Sequence, residues 1–145
     1  MPALKKLGQH KLLLDTHIWL WTVLKNPKLG THYIDSLKPA VENHRLYVSP
    51  ISVWEISMLV AKKRVELEMD CLDWVEKSLR KILLTPFSPR IAVQSTRLPG
   101  LNHGDPADRI LIATARELNA VLITHDQKLL EFGQGNFISV FDPLN

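Results

Sequence analysis

The feature that most constrains the fold is residues 11–17, a short run of leucines that ends abruptly in a carboxylate. A leucine run bounded by Lys11 and Asp15 is typical of a buried strand in a parallel sheet. The apolar residues 18–24 follow at once and predict a helix. Asp15 therefore lies where a strand passes into a helix, and ligands of open α/β sheets bind at that end of the strands. A second interpretation stays open, in which Asp15 or Thr16 only caps the helix.

Strand and helix patterns alternate along the rest of the chain. We predict further strands at residues 45–48, 83–87, 120–124 and 137–140, and a loop at residues 98–104. We predict helices at residues 31–42, 50–63, 72–82, 89–97, 106–118 and 127–131. This alternation is typical of βαβ units. The expected fold class is therefore α/β, a doubly wound three-layer α/β/α sandwich whose mainly parallel sheet has about five strands. We expect one domain over residues 1–145, with residues 1–10 as an N-terminal extension of unassigned role.

Composition narrows the functional classes only a little. Cys71 stands alone, so an internal disulfide is excluded, which fits a reducing cytoplasm. No signal peptide or membrane span is visible, so we expect a cytoplasmic protein without a membrane partner. The net charge of +3 permits a polyanionic partner, but many unrelated proteins are equally basic.

Glu55 interrupts the apolar side of the predicted helix at residues 50–63. Its neighbours three and four positions away are Ile51, Ser52, Met58 and Leu59, which do not form a solvent-facing surface. A glutamate among such neighbours needs a partner, a proton or a metal ion. The alternative is that Glu55 lies at the margin of the apolar stripe and reaches water.

Three more carboxylates stand at the ends of predicted elements. Asp105 precedes Pro106 and fits the N-cap of a helix, while Asp108 lies on its first turn, close to the end of the sheet. Asp126 follows the apolar strand at residues 120–124, although it could simply cap the next short helix. In a parallel sheet, Asp15, Glu55, Asp108 and Asp126 can converge on one edge.

Four gathered carboxylates require a counter-charge. Two unit charges about 4 Å apart repel by roughly 4 kcal/mol at an effective dielectric of 20. Oxygen ligands favour a hard divalent cation, Mg²⁺ or Mn²⁺, and no Cys/His spacing supports zinc. Such a cation suits phosphodiester chemistry. His103 and His125 flank the predicted cleft, and we interpret both as surface or substrate-side residues rather than ligands.

Four motifs in this order resemble a known family. They are Leu14-Asp15-Thr16, Glu55 in a helix opened by Ser49-Pro50, residues 108–115 (DRILIATA), and residues 122–126 (LITHD). Together they resemble the PIN domain and, within it, the VapC-type toxins of bacterial and archaeal toxin–antitoxin systems. The resemblance extends from about residue 11 to residue 140.

The resemblance implies a function, a cofactor and partners. It implies that the chain is the toxin of a type II toxin–antitoxin system. Such a toxin would be an endoribonuclease that cleaves RNA by metal-activated water. Its catalytic, metal-binding residues would be Asp15, Glu55, Asp108 and Asp126, with Mg²⁺ or Mn²⁺ as cofactor. Thr16 and Thr124 occupy positions where the family often has a hydroxyl beside the metal, and Asp105 is an additional acid that many members lack. The implied partners are an RNA substrate, a cognate antitoxin and a second copy of the chain.

Several basic residues are candidates for RNA contacts. Arg109 could reach a phosphate, or it could form a structural ion pair. Lys62, Lys63 and Arg64 could steer RNA, although basic residues in a last helical turn also suit the helix dipole.

Aromatic residues suggest a partner surface. Trp19, Trp54 and Trp74 lie on helices with an apolar surplus, which predicts self-association, although a place in the core is the alternative for each.

The same residues allow two other functions to be considered. An aspartyl-phosphate phosphatase would use Asp15 as nucleophile and needs a second Asp two residues on, where His17 stands. A non-catalytic RNA-binding or scaffold module on the same fold is the stronger alternative. The presence of all four acids argues against such a decayed site.

Overall fold

Every pairing in the central sheet is parallel. The structure is a computed structural model that describes residues 3–100 and 104–144. The predicted loop at residues 98–104 therefore falls partly outside the described residues, as does His103. The strands lie in the order β3-β2-β1-β4-β5. They are β1 (Leu12–Leu14), β2 (Leu46–Val48), β3 (Leu83–Leu84), β4 (Val121–Ile123) and β5 (Ser139–Phe141).

Helices connect the strands and cover both faces of the sheet. A 3₁₀ helix (Leu4–Gln9) precedes β1. The α-helices are α1 (Thr16–Val23), α2 (Thr31–Ser36), α3 (Lys38–Glu42), α4 (Pro50–Ala61), α5 (Cys71–Ser78), α6 (Pro89–Gln94), α7 (Pro106–Leu118) and α8 (Gln127–Gln134). No helix among the described residues is long and apolar enough to cross a membrane.

The two faces of β1 pack into two separate cores. Leu12 and Leu14 join the cluster that α1 to α5 form on one face. Leu13 joins the cluster that α7 and α8 form on the other face. Because side chains alternate along a strand, a leucine run without polar interruption requires an apolar layer on each side. This arrangement confirms the predicted three-layer α/β/α fold.

The strand order places a switch point between β1 and β4. The chain moves from β1 to β2 and β3 on one side, and then to β4 and β5 on the other. Connections leave neighbouring strands in opposite directions there, which opens a crevice at their carboxyl ends. Asp15 follows β1, and Thr124 and Asp126 follow β4, so the predicted acids stand at this crevice.

Two of the differences between the predicted and the observed helices have identifiable reasons. The predicted helix at residues 31–42 is two helices that meet at Leu37, because Pro39 has no N–H to continue the first and instead opens the second. The predicted helix at residues 127–131 extends to Gln134 and so includes Gly133. A Cβ at Gly133 would lie 2.5 Å from Val140 Cγ2, so this glycine permits close packing of α8 against β5.

The N-terminal residues are an integral part of the fold. Leu7 is fully buried in the larger core. A Cβ on Gly8 would lie 2.8 Å from the Ser36 carbonyl oxygen, and the Arg45 guanidinium donates to the Gly8 carbonyl. The segment therefore closes one side of the core.

This packing predicts a stability effect. We expect Leu7→Ala to lower the free energy of unfolding by about 3 kcal/mol, since a large cavity would remain in the core. Leu4→Ala is the matched control because Leu4 is 36% exposed. Denaturant unfolding measures both variants, and equal losses would show that the segment does not pack as described.

Candidate active site

Asp15 is fixed by two hydrogen bonds at the end of β1. It is the N-cap of α1, and its Oδ1 accepts from the Thr16 backbone N–H at 2.7 Å. Its Oδ2 accepts from the Thr124 hydroxyl at 2.7 Å. The capping and functional interpretations are therefore compatible, since both carboxylate oxygens retain a lone pair for a further ligand.

Thr124 joins the ends of three elements. Its side chain is completely buried at the end of β4. Its hydroxyl donates to Asp15 and accepts from the Asp126 backbone N–H at 3.0 Å. Asp126 in turn caps α8, with its Oδ1 accepting from the Leu129 N–H at 3.1 Å. One hydroxyl thus sets Asp15 relative to the backbone of Asp126.

Thr16 performs a similar task for Glu55. The Thr16 hydroxyl is buried and lies 2.6 Å from Glu55 Oε1 and 2.8 Å from Ser52 Oγ. One hydroxyl hydrogen cannot serve both neighbours, so Ser52 supplies the second hydrogen when Thr16 donates to the Glu55 carboxylate. Sequence reasoning did not assign Ser52 to the site. The available sign was its position three residues before Glu55 on the same face of α4.

Asp105 and Asp108 lie together at the start of α7. Asp105 is the N-cap, and its Oδ1 accepts from the N–H groups of Ala107 and Asp108 at 2.9 and 3.2 Å. This confirms the predicted cap. Asp108 is half-buried and faces the other acids closely enough to interact with each of them.

The carboxylates disturb one another's protonation. Burial raises the pKa of Asp108 to about 7, with the negative charges of Asp105, Asp126, Asp15 and Glu55 adding to the effect. Burial also raises the pKa of Asp15, against the hydrogen bonds from Thr124 and Thr16. Burial raises the pKa of Glu55, and Asp15 and Asp105 contribute by repulsion. The site therefore holds negative charge at a cost that a bound cation would offset.

The raised pKa of Asp108 predicts a pH-dependent stability. The folded metal-free protein binds the Asp108 proton more tightly than the unfolded chain, so the protonated carboxyl stabilises the folded state. This stabilisation is lost as pH rises through about 7. We expect Asp108→Asn to raise the free energy of unfolding by about 1–2 kcal/mol at pH 8, after a discount for solvent screening. Near pH 4 the difference should be close to zero.

Urea unfolding of the metal-free protein at both pH values measures this effect. Glu76→Gln, on the exposed side of α5, removes one negative charge away from the site and serves as control. A gain for Asp108→Asn that is the same at both pH values would contradict the raised pKa.

The donor set fits a hard divalent cation. The carboxylates of Asp15, Glu55, Asp108 and Asp126 offer oxygen ligands, which are what Mg²⁺ and Mn²⁺ prefer. Across residues 3–100 and 104–144, however, no three His, Cys, Asp or Glu side chains are already grouped closely enough to hold a metal ion. The side chains would therefore have to turn towards a common centre to bind a cation.

The basic candidates lie around the site at different distances. Arg109 Nη1 lies 3.4 Å from the Ser95 carbonyl oxygen, so this side chain links α7 to the end of α6. Lys62, Lys63 and Arg64 are exposed just beyond the end of α4. At about 1.5 Å per residue they lie roughly 10 Å further along the helix than Glu55.

The crevice is separate from a cavity elsewhere on the described structure. That cavity, of about 530 Å³, lies beside β5 and α8 and is lined by residues including Phe137, Val140 and Asp142. None of the four acids lines it. The candidate site therefore lies at the carboxyl ends of β1 and β4, outside that cavity.

Comparisons with known proteins show which family of sequences this chain resembles. Residues 12–134 match the family model of the PIN domain. Ribonuclease VapC22 of Mycobacterium tuberculosis (strain ATCC 25618 / H37Rv) is 30% identical over 118 residues, which covers 81% of this chain and 88% of the relative.

Solved structures share the fold. VapBC2 from Rickettsia felis, bound to a promoter DNA fragment, has a TM-score of 0.67 and 20% identity, covering 90% of this chain and 96% of that chain. DNA-bound VapBC from Salmonella typhimurium has a TM-score of 0.65 and 20% identity, with 92% and 98% covered. At these identities the likeness concerns the fold alone.

Proposed function

The chain belongs to the PIN domain family as a VapC-type ribonuclease, and from that premise we propose that Asp15, Glu55, Asp108 and Asp126 form a Mg²⁺- or Mn²⁺-dependent site for RNA cleavage. The proposed role is that of the toxin in a type II toxin–antitoxin system. The observation that carries the proposal is the convergence of these acids at the β1–β4 switch point, where burial, with repulsion by the neighbouring carboxylates, raises the pKa of Asp108 to about 7.

The proposed roles follow from how each side chain is held. When bound, Mg²⁺ or Mn²⁺ lowers the pKa of a coordinated water and stabilises charge on the phosphate. Asp15 is the most fixed ligand because Thr124 and the Thr16 N–H bind its two oxygens. Glu55 is oriented by Thr16. Asp108 would ionise as the cation binds, and Asp108 or Asp126 would orient the attacking water.

Asp105 supports the site through its neighbour. Its carboxylate caps α7 and lies close enough to Asp108 and Glu55 to raise both pKa values. We propose that this extra charge strengthens the attraction of the site for a cation. Its capping bonds also fix the backbone of Asp108.

RNA would reach the site as a single strand. An open sheet edge accepts a looped or splayed backbone more readily than an A-form helix. Arg109 remains a candidate for a phosphate contact if it leaves the Ser95 carbonyl. Lys62, Lys63 and Arg64 lie about one Debye length from Glu55, so they would act by weak steering rather than by direct contact.

Of the three tryptophans predicted to lie on a partner surface, only Trp54 is exposed. Trp19 is fully buried and Trp74 is 5% exposed, so the prediction that they serve association is wrong; both pack in the core. Trp54 is 57% exposed and Leu72 is 62% exposed. We propose that such apolar surface is covered by the cognate antitoxin or by a second copy of the chain. The cytoplasmic location expected from the sequence stays a prediction.

The proposal is tested by incubating the purified chain with structured RNAs that contain single-stranded loops. Separate reactions contain Mg²⁺, Mn²⁺ or a chelator. We expect cleavage with either metal and none with chelator, and a 5′-phosphate on the downstream product. Product ends that carry a 2′,3′-cyclic phosphate would point to attack by the RNA's own 2′-hydroxyl instead.

The scaffold alternative makes a different prediction for the same experiment. A non-catalytic RNA-binding module would retain RNA without cutting it under any metal condition. Cleavage that persists in chelator would contradict the metal-dependent mechanism while leaving the ribonuclease assignment in place.

A further inference from the structure

Basic residues lie at the amino ends of three neighbouring strands, on the opposite edge of the sheet from the acids. Lys11 directly precedes β1, Arg45 directly precedes β2, and Arg80 and Lys81 come just before β3. The Leu12 N–H donates to the Arg45 carbonyl oxygen at 2.8 Å, and β2 pairs in turn with β3. Neighbouring strands are about 4.8 Å apart, so these residues form a row about 10 Å long. We call the four residues the basic row.

The protein itself does not neutralise the basic row. Within the described residues, no carboxylate forms an ion pair with any of its members. The Arg45 guanidinium donates to the Gly8 carbonyl, and its Nε is buried without a partner in the described structure. The other three members are exposed. The four residues before each of the three strands contain four Lys or Arg, two His and a single acid, Glu42.

The chemistry of this edge indicates the kind of partner that it fits. Lysines are depleted in protein–protein interfaces, whereas interfaces with nucleic acid are polar and positively charged. The residues that accompany the row before β1 and β2 are polar, namely Gln9, His10, Asn43 and His44. The basic row therefore fits a phosphate backbone better than a protein surface.

The catalytic edge cannot supply the same attraction. The five acids around the crevice are a third of the 15 acids of the chain, and they repel phosphate until a cation binds. Lys11 and Asp15 are four residues apart along β1, which at about 3.3 Å per residue separates their Cα atoms by about 13 Å. This exceeds a Debye length of about 10 Å, so the two edges act on different parts of a polyanion.

From this arrangement we propose that the basic row is a docking surface for the phosphate backbone of the RNA substrate, outside the catalytic crevice. A long RNA would contact the row with one segment and the crevice with another, because the body of the fold lies between the two edges. A short RNA that fills the crevice would not reach the row. This inference rests on the proposed function, because it concerns the substrate of the same enzyme.

The test compares two RNAs that contain the same cut bond. The short RNA has only a few nucleotides on each side of the bond, and the long RNA carries extended single-stranded tails on both sides. The measured quantity is the ratio of kcat/KM for the long RNA to kcat/KM for the short RNA, at several salt concentrations. We expect the wild-type chain to prefer the long RNA, and this preference to weaken as salt rises.

The decisive variant is Lys11→Gln, Lys81→Gln, which removes two exposed charges and keeps the contact between Arg45 and Gly8. We expect it to lower the ratio about tenfold at low salt. The slope of log kcat/KM against log salt for the long RNA should become shallower by about 1.4, since each phosphate contact to a single strand contributes about 0.7.

Single substitutions provide a control that is matched in charge. Lys11→Gln alone should lower the ratio about threefold, which is half of the logarithmic effect. Lys128→Gln removes one exposed charge from α8, which begins after the carboxyl end of β4, and should leave the ratio unchanged. Thermal unfolding establishes that each variant is folded.

A wild-type ratio in the folded double variant would overturn the inference while leaving the proposed function intact. The row would then only offset the carboxyl-terminal ends of α3 and α5, or face an acidic protein. An equal loss on both RNAs, or a wild-type chain that does not prefer the long RNA, would overturn it as well. If the wild-type chain cuts neither RNA, the proposed function fails and this inference fails with it.

Discussion

Replacing Asp15 with Asn is expected to lower the rate of metal-dependent RNA cleavage by about 10³-fold. The removed carboxylate is the one most fixed by the structure, with bonds from Thr124 and the Thr16 N–H at 2.7 Å each. A catalytic metal contributes several kcal/mol of transition-state stabilisation, and each 1.4 kcal/mol corresponds to about tenfold in rate. Asn keeps the size of the side chain and can still accept a hydrogen bond, so the fold should survive.

The measurement is single-turnover cleavage of a loop-containing RNA by the wild-type and Asp15→Asn chains at saturating Mg²⁺. Glu76→Gln controls for a change of net charge away from the site. Circular dichroism and thermal unfolding establish that the variant is folded. Cleavage by folded Asp15→Asn at the wild-type rate would exclude Asp15 from the mechanism.

The second large effect concerns a residue that touches no proposed substrate. We expect Thr124→Val to weaken Mn²⁺ binding by about 10–100-fold, as is usual when a group that orients a metal ligand is lost. The Thr124 hydroxyl is fully buried and positions both Asp15 and the backbone of Asp126. Valine has nearly the same shape but leaves the Asp126 N–H without this acceptor and Asp15 without this donor.

Isothermal titration with Mn²⁺ measures this effect, and Thr124→Ser is the matched variant. Serine retains the hydroxyl, so we expect most of the affinity to return. Equal weakening in Thr124→Ser and Thr124→Val would show that packing, rather than the hydroxyl, accounts for the loss.

Local sequence patterns were enough to predict the layers of the fold and the places of the acids. Leu12–Leu14 and the apolar residues before Thr124 predicted buried strands because both faces of such strands need an apolar layer. Asp15 and Asp126 followed from the abrupt end of each run. Asp105 was correctly predicted as a cap, since an acid before Pro106 fits the first turn of a helix.

Features that depend on distant partners were not predictable in the same way. The position of β1 beside both β2 and β4 sets the switch point, and no local pattern encodes that order. A Cβ at Gly133 of α8 would clash with Val140 of β5, a contact that lies seven residues further along the chain. Asp142 is buried against His125, 17 residues away in sequence, and nothing near Asp142 indicates that partner. Trp19 and Trp74 pack against each other in the core, which amphipathic spacing could not distinguish from a partner surface.

The central claim is that four carboxylates share one divalent-metal site, and calorimetric titration of Mn²⁺ into the metal-free chain at pH 8 tests it most directly. The account predicts saturable binding to the wild-type chain and loss of that binding in the Asp15→Asn, Asp108→Asn double variant, with Glu76→Gln unchanged. Saturable binding of the same affinity in the folded double variant would contradict it.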